Sequence, residues 1–350
     1  MRTGFIGPFT VFVAALLLGP HTSAQSLSFS LLERYLESLR VEAGIPGLSV
    51  SVLQHGAVVW EQGFGRQDLE GAIPATPSTP YVLGNLSQSI GATLLLRKCI
   101  EEGRAELSEP VARWAPQFPD HSASLRDVLT HTTPPASFHY DPARFAALTG
   151  AIEACAGLPY PQVLAHEVFG RLGMSRSVPG HALATFTPPD VAALGAATMA
   201  RYADVLATLA VPYRVDPRTR AAARSTVPLM PADAAAGIVS TVQDLARLDI
   251  ALDDDNALLT APVRNLAWTQ AWPLPTGLGW FVQPYNGERI VWQFGLVENA
   301  YSALILKVPE RRLTVILLAN SDGLTAPFAL DQGDVTASVF ARLFLRLLVL

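Results

Sequence analysis

The stretch Tyr81-Val-Leu-Gly-Asn-Leu-Ser-Gln-Ser-Ile90 has the form of a mount for reactive side chains: a short extended run, a turn at Gly84 and the opening of a helix. Residues three apart on a helix share a face. A serine followed by a lysine one turn on would therefore be an activated nucleophile for attack on a carbonyl carbon. Those two positions hold Asn85 and Gln88 instead. An asparagine amide is not a useful nucleophile, and a glutamine amide cannot take a proton near neutral pH. Ser87 lies roughly 200° round the helix from Asn85 and is expected to face away. Ser89 is one turn deeper on nearly the same face, with no lysine near it in sequence.

Other chemistries fare no better. Gly-x-Ser-x-Gly is absent and no histidine follows His181, which argues against an α/β-hydrolase. His166-Glu167 could open a zinc-protease signature, but position 170 is glycine where the second histidine belongs. His131, in Leu129-Thr-His-Thr132, reads as a hydrogen-bonded structural histidine. The carboxylate pairs Asp68 with Glu70 and Glu101 with Glu102 lie in runs that read as solvated. Neither cysteine has metal-ligand spacing, and no motif calls for a cofactor. Trp280 and Trp292 fall in strand-like runs and read as sheet core. Trp268 and Trp272 lie in the Pro-rich connection from Pro262 to Pro275, where packing is the first reading and lining a cleft the second.

The elements that must carry these residues are legible from periodicity. Leu31, Leu32, Tyr35, Leu36 and Leu39 predict an amphipathic helix over about 28–43. Leu48–Leu53 and Ala57–Glu61, linked by Gln54-His55-Gly56, predict a hairpin. From about 86 to 270 the chain is rich in Ala and Leu, with frequent prolines, and reads as mainly helical. Strand signals return at Leu278–Val282, Arg289–Gln293, Tyr301–Lys307 and Leu313–Leu318, and a last helix is expected over about 335–348. Early strands, a helical middle and late strands imply an α+β arrangement: an antiparallel sheet that the chain leaves and rejoins. The expected organisation is a discontinuous sheet domain, 25–84 and 271–350, flanked by the terminal helices, with a mainly helical domain, 85–270, inserted.

Half of the 350 residues are apolar, enough for a large core. The net charge of −5 carries no basic block, which excludes a nucleic-acid binder of the usual kind. Arg2, the apolar run Phe9–Leu18 and Thr22-Ser23-Ala24 have the order of a secretory signal, expected over 1–24, with an uncleaved anchor as the alternative. An exported, periplasmic or secreted chain without stable membrane insertion follows as an expectation. The C-terminal apolar run is broken by Arg342 and Arg346 and reads as a packed helix. Cys99 and Cys155 could pair or remain buried thiols; spacing does not decide.

Several segments, in order, resemble one family. Gly44-Ile-Pro-Gly-Leu-Ser-Val-Ser-Val52, Gly63-Phe-Gly65, Gly84 through Leu94 to Gly103, and Leu125-Arg-Asp-Val-Leu-Thr-His-Thr132 are similar to the serine β-lactamase-related proteins, which include class C β-lactamases, DD-peptidases and esterases. Phe169–Met174, Ala236–Thr241 and Leu317–Ser321 continue the resemblance over nearly the whole mature chain. It implies a β-lactamase/transpeptidase-like fold and three motifs: Ser-x-x-Lys, Tyr-x-Asn or Ser-x-Asn, and Lys-Thr-Gly or His-x-Gly. The first falls on Asn85 and Gln88. The second falls near Tyr140-Asp141-Pro142, with proline where asparagine is expected. The third falls on Gln293-Phe294-Gly295, with glutamine for the cation.

The motifs have not moved elsewhere. The chain has two lysines, Lys98 and Lys307, preceded at three residues by Leu95 and Leu304 and followed at two by Ile100 and Pro309. No histidine has glycine two residues on, and no tyrosine or serine has asparagine there. The resemblance therefore implies a serine-hydrolase fold whose covalent chemistry is lost. The expected cleft is lined by the amides and hydroxyl of Asn85, Gln88, Tyr140 and Gln293, able to hold a cell-wall peptide or other amide-containing ligand. A hydrolase acting through an unrecognised nucleophile is the alternative.

Overall fold

The computed structural model describes residues 21–133, 137–229, 231–255 and 257–349. Residues 1–20, most of the expected signal, lie outside the described residues. Helix α1, His21–Ala43, is followed by the hairpin β1, Gly47–Gln54, and β2, Ala57–Asp68. Its turn falls at His55-Gly56, both with positive φ. A short β3, Ile73–Pro74, pairs with the end of β2. The chain then leaves the sheet, and returns as β4, Phe281–Tyr285, β5, Glu288–Val297, β6, Tyr301–Val308, and β7, Leu313–Ala319. The seven strands lie in the order β4-β5-β6-β7-β1-β2-β3, and every neighbouring pair is antiparallel. The strand that follows the helical middle thus joins at one edge, and the last strand closes onto the first, with Val50 opposite Leu317.

Strand alternation sends the central side chains to two different cores. Leu48, Val50 and Val52 of β1 share a face with Leu304, Leu306, Val315 and Leu317, and this face is covered by Leu32 and Leu36 of α1 and by Phe340 and Phe344 near the C-terminus. Ile305, Ile316 and Leu318 point the other way, into the core of the mainly helical part. That part contains helices α2, Ser87–Leu95, α3, Leu148–Ala156, and α4, Val242–Asp253. The layers are therefore terminal helices, sheet, and inserted helices, as the α+β reading requires.

Several boundaries differ from the sequence reading: α1 begins earlier, at His21, and β2 and β5 run on to Asp68 and Val297. The first late strand begins at Phe281, because Gly279 takes φ +77° and turns the backbone before it. The last helix, α5, starts only at Val339, where Ser338 caps it by accepting from the Ala341 amide. Residues Val335–Ala337 form a separate turn capped by Asp334. Two successive caps break what the hydrophobic pattern presents as one helix.

Candidate functional site

The segment Tyr81–Val82 pairs with Val239–Ser240, and this short ladder aims the chain at the sheet before α2 opens. Gly84 has φ +54°, a region that disfavours a side chain, and a Cβ there would sit 2.8–3.0 Å from backbone atoms of Leu296. At the facing position, a Cβ on Gly295 would lie 1.9 Å from the Leu83 carbonyl oxygen. The two glycines let the turn lie directly on β5. Asn85 follows in that turn, and all nine residues of α2 are buried.

Beside the turn is a cleft of about 570 Å3. Asn85, Tyr140 and Pro142 form one wall, Phe294 and Leu296 of β5 another, and the segment Thr325–Ala329 a third. The Tyr140 hydroxyl is shielded from water and has no partner in hydrogen-bonding geometry among the described residues. Burial pushes its phenol well above the ordinary range; the neighbouring Asn85 amide offsets part of this and the Asp331 carboxylate adds to it. The tyrosine is therefore a neutral hydroxyl at physiological pH and not a base.

Gln88 and Gln293 do not line this cleft, contrary to the sequence expectation. Gln88 is fully buried: its Nε2 donates to the Pro142 carbonyl at 3.3 Å, and its Oε1 has no partner among the described residues. Gln293 is also buried, because alternation along β5 gives the cleft to Phe294 and Leu296. Its Nε2 donates to the Gly279 carbonyl at 3.2 Å and its Oε1 accepts from the Phe294 amide at 2.9 Å. Both glutamine amides act as internal struts behind the wall. Gly295 serves by having no side chain.

Among the described residues, no serine lines the cleft. The Ser87 hydroxyl is buried without a partner among the described residues, and the buried Ser89 hydroxyl donates to the Leu86 carbonyl at 2.8 Å. Both lysines are committed elsewhere. Lys98 pairs with Glu102 at 2.7 Å and Glu167 at 3.4 Å, while Lys307 is buried against Asp249 and, at 2.9 Å, Asp253. The hydrogen bond that the sequence suggested for His131 is not found among the described residues. The imidazole packs among the rings of Tyr140, Phe145 and Phe281, and neither ring nitrogen has a partner among the described residues. Burial, with the nearby Arg144 charge, pushes it down to about 3, so it is neutral. Trp292 is buried in β5, whereas Trp280 is buried just before β4 against Trp268, contrary to its strand reading; Trp268 is buried beneath the Lys307 ammonium, and Trp272 is 83% exposed away from the cleft.

Cys99 and Cys155 form a disulfide that fastens the continuation of α2 to the end of α3. Among the described residues, no group of three or more His, Cys, Asp or Glu could hold a metal ion, and no helix is long and apolar enough to cross a membrane. Sequence reasoning missed the third wall. Thr325–Ala329 carries no motif, and it reaches the cleft only because the chain turns back past β5 after β7, where the Thr325 hydroxyl donates to the Gly295 carbonyl at 3.1 Å.

The chain is 31% identical over 119 residues to the mitochondrial serine β-lactamase-like protein LACTB of Bos taurus, covering 32% of this chain and 21% of that protein. It is 30% identical over 101 residues to the teichoic acid D-alanine hydrolase of Staphylococcus aureus, covering 29% and 24%. These matches span about a quarter of the relatives' lengths or less. The fold is similar to that of the D-alanine carboxypeptidase AmpC from Burkholderia cenocepacia, with a TM-score of 0.69 at 18% identity over 91% of this chain and 99% of the other. The family model described as Beta-lactamase matches residues 32–337, from α1 through all seven strands to the turn before α5. Matched by that model over most of its length, the chain belongs to the β-lactamase family.

Proposed function

We propose that this chain is an exported member of the family that has lost acyl-transfer chemistry and uses its cleft to hold a peptide- or amide-containing ligand without cleaving it. One observation carries the reading: Asn85 occupies the helix mount at the cleft, and both amines of the chain that could activate a hydroxyl are locked in ion pairs. Covalent catalysis needs a nucleophile with a base in reach. Ser87 and Ser89 are sealed in the core, Tyr140 is held neutral, and His131 is a neutral ring among other rings. What remains at the cleft can still bind: an Asn85 amide and an unpartnered Tyr140 hydroxyl beside apolar surface. An amide-bearing ligand suits that pair, because it supplies an acceptor for the hydroxyl and either partner for the asparagine. Small cell-wall peptides are one such class, in keeping with the D-alanine chemistry in the names of the Staphylococcus and Burkholderia proteins. The apolar run near the N-terminus and the Cys99–Cys155 disulfide support export to an oxidising compartment.

The test is incubation of the purified chain with a labelled penicillin and an activated ester, read by intact mass. No adduct is expected, and thermal shifts with D-alanyl peptides are. A stable acyl adduct on any serine refutes the reading and supports a hydrolase with an unrecognised nucleophile.

A further inference from the structure

The charged groups that line the cleft are two carboxylates, Glu298 and Asp331; no lysine, arginine or histidine lines it. Neither carboxylate is in an ion pair among the described residues. Asp331 accepts from the Gln332 Nε2 at 3.2 Å, and Glu298, at the end of β5, is exposed. Phe294 and Leu296 of β5, with Pro327 and Phe328, line the same cleft. Tyr140, whose shielded hydroxyl has no partner in hydrogen-bonding geometry among the described residues, lines the cleft beside the Phe294 ring. It is close enough to Asp331 for that carboxylate's charge to disfavour its ionisation.

These features specify a ligand more narrowly than an amide alone. An anionic group entering the cleft would meet two uncompensated negative charges and no donor cation, a like-charge contact that disfavours it. An ammonium group would meet both carboxylates at the rim while an apolar body lies on the phenylalanines. Resting on the non-covalent reading of the cleft, we infer that this cleft selects amines: ligands with an ammonium group at the Glu298–Asp331 rim, an apolar body against Phe294 and Phe328, and an amide or hydroxyl acceptor for Tyr140. Among D-alanyl peptides, those whose carboxyl is capped bind better than those that end in a free carboxylate.

The experiment is an NMR-detected titration of the purified chain with three probes of one skeleton: phenylalanine amide, its neutral N-acetyl derivative, and anionic N-acetylphenylalanine. Both carboxylates are exposed, so each contributes a few-fold, and together they give a preference of about tenfold for the cation over the anion at low salt. That preference is expected to shrink towards about twofold in raised salt and in a Glu298→Gln/Asp331→Asn variant. A size effect of the acetyl group would survive both changes. Leu296→Trp fills the cleft and is expected to abolish binding of all three probes. If the anion binds as tightly as the cation and Leu296→Trp blocks both, the cleft is a binding site but the amine selection is wrong. If no probe binds at millimolar concentration, the binding reading fails and the amine selection falls with it.

Discussion

Lowering the pH from about 7 to about 4.5 is expected to cost this fold stability at the buried side chain of His131. An unfolded imidazole titrates at 6.5, whereas in the folded chain the ring is pushed down to about 3, first by burial and then by the Arg144 charge. The unfolded chain therefore takes up a proton that the folded chain refuses. The contribution is fully present above pH 6.5 and is lost as the pH falls towards 3, by up to about 1.4 kcal/mol per pH unit. Between about pH 7 and about pH 4.5 this amounts to about 2.5 kcal/mol, and the figure barely changes if the folded value is nearer 4 than 3. Other buried acids pull the opposite way: burial raises Asp233 and Asp244, so they favour the fold in acid. The measurement must therefore be a double difference. Urea unfolding of the wild type and of His131→Leu at both pH values isolates the histidine, and the wild type should lose about 2.5 kcal/mol more than the variant. Parallel losses in the two proteins would refute the burial argument and place a hydrogen-bonded, protonatable histidine in the ring cluster.

Three further outcomes follow from the packing. Gln88→Lys, the obvious step in rebuilding the lost motif, buries an amine where, among the described residues, the Gln88 amide finds one hydrogen-bond partner, the Pro142 carbonyl; it should cost about 2–4 kcal/mol in denaturant unfolding, and Asn85→Ser/Gln88→Lys/Gln293→His should remain inert to penicillin. Lys307→Met leaves the buried Asp249 and the half-buried Asp253 without their cation and should cost about 3–5 kcal/mol, most of it recovered when Asp249→Leu is added, as thermal melts can show. Replacing both Cys99 and Cys155 by alanine releases a cross-link between positions 56 residues apart and should lower stability by about 4 kcal/mol, measured against the oxidised wild type.

The sheet and its flanking helices were readable because periodicity is local. The Leu-Ser-Val-Ser-Val alternation of β1 and the Leu32–Leu36 spacing of α1 each declare a buried face without reference to any partner. The absence of a Ser-x-x-Lys motif was equally legible, since a chain whose two lysines follow leucines at three residues cannot acquire one by folding. Which side chains face the cleft was not legible. Asn85, Gln88 and Gln293 are all amides at motif positions, yet one lines the cleft and two are struts, because a Gly84–Gly295 approach and the pleat of β5 decide where each amide points. The His131 environment and the Cys99–Cys155 pairing come from residues brought together across loops, as does the Thr325–Asp331 wall with its carboxylate. Residue type sets which chemistry is possible and local pattern sets the elements. Charge selection and proton affinity depend on what surrounds a group in space, and only the tertiary structure decides that.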